Sequence, residues 1–390
     1  MKEKIESNSN GTLNRRDVIK RMALVGAGVL AAPAMDSTSA APIKNMNINP
    51  QMTQPDEKSK LTVKEVYARA REALYPTCRV CPQCDGIACA GGAIGGVGSG
   101  MSFQNNFTSL QRVKLNMRTL VDDPELEKKP DTSTIIFGRK LSFPALAAPM
   151  GPVVLALNKG IKEDVYYDAI IGGCVDAGAG GGIGNNANLT LDVFKRHCKY
   201  IEAVKGQALM GLKPRPADKM IPLFEYLEQA GTMMVTIDTD SGGRYPVSDM
   251  TKIVKATKIP IVVKGIMTID DARRAADTGA AGIVVSNHGG RRLDHTPGTA
   301  EVLPAIADEM KGKLTIFIDG CVHYGTDVLK YLALGADAVL VGRHILRAAY
   351  GSGREGVALF MNTMQAELAS AMSMTAVANI KKINREIITF

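Results

Sequence analysis

From about residue 132 onward, short apolar runs alternate with longer segments whose apolar positions recur every three to four residues. That alternation predicts parallel strands, each followed by a helix that covers it. The predicted strands are Ala145–Pro149, Gly180–Gly184, Gln207–Leu212, Met233–Asp238, Pro260–Lys264, Gly282–Ser286, Thr315–Asp319 and Ala338–Gly342. Between them lie helix-patterned pieces at Leu223–Ala230, Ile269–Thr278, Ala300–Met310 and Gly325–Leu334. Eight such units close most economically as an α/β (β/α)8 barrel, whose chemistry sits at the C-terminal ends of the strands. Charged and polar residues gather at those ends: Asp238, Lys264, Ser286-Asn287-His288, Asp319 and Arg343. A purely structural core has no use for charges at five matching positions.

Upstream the pattern changes twice. Residues 41–131 read as an N-terminal extension, helical at Val63–Leu74 and Ser109–Thr119, with a glycine-rich cover at Gly91–Gly100; residues 132–390 are the barrel. Residues 1–40 read differently: a polar, basic stretch ending in Asn14-Arg15-Arg16-Asp17-Val18-Ile19-Lys20, an apolar run Met22–Ala32, then small residues around Ser37–Ala41. The run is too short to span a bilayer. The segment resembles a twin-arginine export signal, which predicts a periplasmic, extracellular or cell-surface protein with no transmembrane span in the mature chain.

Composition agrees with a barrel and adds little to it. Hydrophobic residues make up 45% and charged residues 22%, which excludes general disorder. Glycine is frequent at 39 residues and tryptophan is absent, suiting tight βα loops that approach a ligand. The formal charge is +8, weakly favouring anionic ligands. No Lys/Arg run interleaved with aromatics occurs, so no nucleic-acid partner is expected.

Cysteine is the uneven residue. Cys78, Cys81, Cys84 and Cys89 fall within twelve residues, whereas Cys174, Cys198 and Cys321 are scattered and read as small buried side chains. The spacing approaches the C-x2-C-x2-C-x3-C run of iron–sulfur ligation, with a last gap of four. Zinc in a four-thiolate site is equally permitted. Two disulfides, since an exported protein meets an oxidising compartment, or free thiols are the third reading. His197, His295 and His344 have no ligand-spaced partners and read as structural or solvated residues.

The run Ser286-Asn287-His288-Gly289-Gly290-Arg291-Arg292-Leu293-Asp294 resembles the flavin-mononucleotide-dependent 2-hydroxy-acid oxidase and dehydrogenase family, which includes glycolate and lactate oxidases. The resemblance continues through Ala148-Pro149-Met150, Val235–Thr239, Val263-Lys264-Gly265, Asp319-Gly320 and Gly342-Arg343. It implies that His288 removes a proton from the hydroxy acid, and that Arg244 is a second substrate arginine beside Arg291. It further implies that FMN is held by Ala148, Pro149, Met150, Thr236, Lys264, Ser286, Asp319, Gly320, His323, Gly342 and Arg343.

The chemistry supports this independently. Histidine is a base with a suitable pKa, and a carboxylate can stabilise the imidazolium that forms; Asp238 is the expected partner. Arg291 offers a planar fork to a substrate carboxylate. Lys264 is placed to stabilise negative charge on reduced flavin. The flavin phosphate is expected on the last two βα loops.

Three departures stand out. Gly95–Asn106 contains no substrate tyrosine, Leu212-Lys213-Pro214 replaces a Gln-Leu-Tyr motif, and His323 stands where the family has a phosphate arginine. Two hydroxyl donors are therefore missing from the substrate grip.

The expected function is FMN-dependent oxidation of a small 2-hydroxy carboxylate to the 2-oxo acid, with oxygen, a quinone or a redox protein as electron acceptor, in a homo-oligomer. The alternatives are another FMN barrel, such as a protein like the type 2 isopentenyl diphosphate isomerase, and a non-catalytic flavin- or metal-binding protein.

Overall fold

The computed structural model describes residues 61–87, 89, 94–151, 161–185, 190–241 and 243–390. The signal-like segment and Gly91-Gly92 of the glycine-rich stretch lie outside the described residues. No helix among the described residues is long and apolar enough to cross a membrane.

Eight parallel strands form the centre: β1 (Ala145–Ala147), β2 (Gly181–Gly184), β3 (Ala208–Leu212), β4 (Met234–Asp238), β5 (Ile261–Ile266), β6 (Gly282–Val285), β7 (Thr315–Ile318) and β8 (Ala338–Val341). Each neighbours the next in sequence, β8 pairs with β1, and a parallel bridge between Leu146 and Gly180 joins β1 to the start of β2. The barrel expected from the apolar runs is the one observed, with every strand end within two residues of its predicted place.

The two-residue period of a strand sorts side chains into an inner and an outer set. Leu146, Leu209, Met234, Val262, Val284, Phe317 and Leu340 fill the barrel interior, all buried. Ile136 and Leu141, from an antiparallel hairpin of Thr134–Ile136 and Arg139–Leu141, join that inner cluster. The alternate residues, among them Met210, Val235, Ile237, Val263 and Ile283, belong to the outer cluster under the helices. Burying each such aliphatic side chain contributes about 1.5–3 kcal/mol.

The helices that bear on the site are α1 (Val63–Leu74), α2 (Met101–Arg112), α3 (Leu191–Ala203), α4 (Val247–Lys255), α5 (Ile269–Asp277), α6 (Thr299–Met310), α7 (Gly325–Leu334) and α8 (Arg343–Met374). Helix α1 starts at a capping box in which Thr62 and Glu65 satisfy each other's backbone N–H groups, and its extent is the predicted one. The helix expected at Ser109–Thr119 lies earlier, at Met101–Arg112. Of its buried residues Ser102, Phe103, Asn106, Ser109 and Leu110, three are polar, so apolar periodicity underreports it. Residues 59–390 form one compact unit, so the described part of the extension is packed on the barrel.

Candidate active site

Strand β6 delivers Ser286, Asn287 and His288 to the barrel mouth, where the backbone turns left-handed at His288 (φ 56°) and remains so at Gly290 (φ 73°). Gly290 has no alternative, because a Cβ there would stand 2.4 Å from the backbone nitrogen of Phe103 in α2. His288 is not a glycine, and its conformation needs outside support. Its N–H donates to Ser286 Oγ at 3.0 Å, and its Nδ1 bonds Asp240 Oδ1 at 2.8 Å. Asn287 fastens the loop from below: its side-chain oxygen accepts from Gly290 N–H at 3.0 Å and from Asn106 Nδ2 at 2.8 Å. The glycine-rich cover closes over it, with Val97 N–H donating to Gly290 O at 2.9 Å and Ser99 Oγ to Asp294 Oδ2 at 2.7 Å.

The carboxylate on His288 is therefore Asp240, and the expectation that it would be Asp238 is corrected. Asp238 closes β4 and its Oδ2 accepts from Lys213 Nζ at 2.8 Å. Two residues on, the tight turn Thr239–Ser241 carries Asp240 to His288. Gly265 makes the approach feasible, because a Cβ on it would stand 2.7 Å from Asp240 Cβ. Lys213, in place of the motif's tyrosine, also donates to Ser241 Oγ at 2.8 Å and so ties the turn to the end of β3.

Lys264, buried at the end of β5, donates to Ser286 Oγ at 2.9 Å and lies 3.5 Å from carboxylate oxygens of both Asp240 and Asp319. Burial opposes its charge, but those two carboxylates outweigh burial and raise its pKa above the ordinary lysine value. Burial would likewise raise Asp240, yet the Lys264 ammonium and the His288 bond hold it well below the usual carboxylate range. His288 moves the other way: burial first, then the Lys264 charge, push it down to about 4 against the pull of Asp240. At neutral pH the cluster thus comprises a charged lysine, a charged aspartate and a neutral imidazole. The ligand atoms of Asp238, Asp240 and His288 lie within 4.8 Å of one another, but Lys213 and Lys264 already supply the positive charge an ion would bring.

Arg291 is half-buried in the same loop, its Nε donating to His288 O at 3.1 Å; desolvation and the neighbouring Arg343 and Arg292 charges lower it to about 10. Arg244 is exposed on the loop beyond the Asp240 turn and is not drawn into this cluster.

A second set of groups lies around β7 and β8. Asp319 accepts from Ser286 Oγ at 2.8 Å through Oδ2, while its buried Oδ1 has no hydrogen-bond partner among the described residues. Helix α8 begins at Arg343 with Gly342 before it and no side-chain cap on its first N–H groups. Arg343 lies 4.1 Å from the Phe103 ring centroid and donates to Gly289 O at 2.7 Å. The His323 and His344 rings stack with centroids 3.7 Å apart, and His344 Nδ1 bonds the Tyr67 hydroxyl at 2.9 Å. Burial and the nearby Arg347 push His323 down to about 4, so it brings no charge to an anion at neutral pH. At the opposite side of the mouth, Gly184 N–H donates to Met150 O at 2.9 Å and Thr236 is buried beneath Asp238.

A family model described as FMN-dependent dehydrogenase matches residues 93–248 and 214–390. The chain belongs to that family. A 2-hydroxyacid oxidase of Dictyostelium discoideum is 34% identical over 323 residues, covering 74% of this chain and 82% of the relative. An L-lactate dehydrogenase of Caulobacter vibrioides is 45% identical over 141 residues, 36% of this chain and 37% of the relative. The crystal structure of mandelate oxidase superposes with a TM-score of 0.69 at 27% identity, covering 85% of this chain and 98% of that one.

The residues present fit the family's cofactor. The uncapped start of α8 with Arg343 is a ready anion site for the FMN phosphate. The buried Oδ1 of Asp319, without a hydrogen-bond partner among the described residues, is a polar atom that a polar ring system at the mouth would satisfy, and the Lys264 cation stands beside it. His197 and His295 stay outside: His197 bonds Glu163 at 2.7 Å on the barrel's flank, and His295 is exposed. The sequence reading missed Asp240, Lys213 and Asn106. Asp240 was two residues from the chosen aspartate, but nothing in a linear motif signals that a helix 180 residues upstream supplies Asn106.

Proposed function

We propose that the chain oxidises a small 2-hydroxy carboxylate to the 2-oxo acid, with His288 as base and Arg291 as the carboxylate clamp. The observation that carries this reading is the 2.8 Å bond between His288 Nδ1 and Asp240. It fixes the proton on Nδ1 and leaves Nε2, bare at neutral pH, to take a proton from the substrate. Bound FMN supplies the acceptor for the two electrons released. As His288 gains its proton, Asp240 stabilises the imidazolium, and Lys264 stands ready to offset negative charge developing at the cofactor. A diphosphate isomerase has no use for a carboxylate clamp beside a base, which disfavours that alternative.

Arg244, exposed here, adds charge at the rim; FMN is held by the start of α8, by Gly320 and Asp319, and by Ala148, Pro149, Met150, Thr236 and Ser286. The electrons leave to oxygen, a quinone or a redox protein. The paired arginines Arg15-Arg16 before an apolar run support export to the periplasm or cell surface.

Arg291→Lys tests the clamp. Lysine keeps the charge but loses the two-point fork, so kcat/KM for a hydroxy acid should fall about 10- to 100-fold with FMN content unchanged, as a bidentate charged bond worth about 1.5–3 kcal/mol is lost. A wild-type enzyme turning over a hydroxy acid and its uncharged amide equally well would remove the carboxylate from the reading.

A further inference from the structure

The hydroxy-acid chemistry makes no use of Cys78, Cys81, Cys84 and Cys89. The chain leaves α1 and turns through them, with Val80 left-handed at φ 46°. A β-branched residue adopts that conformation only where its surroundings enforce it. The turned Val80 N–H donates to Cys78 Sγ at 3.4 Å. The four fall within twelve residues of this one turning segment, and none of them is in a disulfide.

A second observation points into that segment. Arg347, one turn into α8, is only 1% exposed. Its Nη2 donates to Cys84 Sγ at 3.2 Å, while Nε and Nη1 have no hydrogen-bond partner among the described residues. A guanidinium cannot shed its proton, and a buried cation without a counter-charge is costly. Neutral thiols supply none, whereas four metal-bound thiolates do.

The Cys-x2-Cys-x2-Cys-x4-Cys run, close to the C-x2-C-x2-C-x3-C of iron–sulfur ligation, favours a cluster over zinc. In a [4Fe–4S] cluster each thiolate binds a different iron, and the ligands spread around a larger body.

We propose that Cys78, Cys81, Cys84 and Cys89 ligate a [4Fe–4S] cluster whose negative charge is met by the buried Arg347. The cluster stands toward the end of the barrel assigned to the FMN phosphate, because Arg343 and Arg347 are one turn apart on α8 and Arg347 bonds Cys84. Its existence is independent of which substrate the flavin oxidises.

The test is chemical analysis of the full-length protein purified without oxygen, before and after reconstitution with iron and sulfide, with FMN measured separately. Expected are about four iron and four acid-labile sulfide per chain and a paramagnetic signal after dithionite reduction. Cys84→Ser and Cys89→Ser should each lower the iron to less than half and leave FMN near one per chain. Should those variants fail to fold, the iron and sulfide content of the unaltered protein decides alone. Iron-free protein after reconstitution, one zinc per chain, or loss of the four thiols to disulfides overturns the proposal, and an FMN content near one in the same sample leaves the flavin reading standing.

Discussion

Replacing His288 by Ala should slow reduction of the flavin by a hydroxy acid by about 10²–10⁴-fold, the usual contribution of a positioned general base, while FMN stays bound. Apart from Ser286, the groups assigned to FMN come from other strands, so removing the imidazole leaves that shell in place. The same assignment fixes the pH dependence. The base form of His288 is the neutral one, and burial with Lys264 depresses its pKa to about 4. The acid limb of kcat/KM should therefore fall as pH drops through about 4, below the ordinary histidine range near 6.5. Stopped-flow reduction of wild type and His288→Ala, repeated between pH 3.5 and 8, measures both. An unchanged rate in the variant sinks the base assignment; an acid limb near 6.5 means that the imidazole is not desolvated as the structure has it.

Exchanging the two nearby aspartates should give unequal losses. Asp240→Asn keeps an acceptor for Nδ1–H but removes the charge that stabilises the imidazolium, so reduction should slow by roughly 10²–10³-fold, within the range of a disabled acid–base pair. Asp238→Asn breaks a 2.8 Å ion pair with Lys213, which retains Ser241 Oγ as a partner. Lys213 is partly solvated, so that loss should stay within about 10-fold. Rapid-reaction kinetics on the two variants side by side would rank them, and the reverse ranking would return the catalytic pairing to Asp238.

This pair of residues also shows what a linear reading can reach. The barrel was legible because eight apolar runs, each punctuated by a polar end, allow one closure, and Lys264, Ser286, His288 and Asp319 all meet at the mouth. Which aspartate reaches the histidine depends on a turn of three residues and on Gly265 lacking a side chain, details set by three-dimensional packing. Helix α2 lies earlier than expected because its buried face carries Ser102 and Asn106, whose partners are loop atoms around Asn287 and Thr296, and Ser109, which bonds Asn106 O in its own helix. A polar face buried against a loop has no hydrophobic period to read. Arg244 illustrates the converse: its place in the motif suggested substrate contact, yet the loop holds it in solvent.

The central claim is that a neutral His288, an Asp240 carboxylate and Arg291 stand beside an FMN site to oxidise 2-hydroxy acids. The most direct measurement is the visible spectrum of the purified protein, titrated anaerobically with a panel of small 2-hydroxy acids. The account predicts flavin absorption that bleaches with at least one of them, with one equivalent of 2-oxo acid formed per flavin reduced. A flavin-loaded protein that dithionite bleaches but no 2-hydroxy acid does would contradict it.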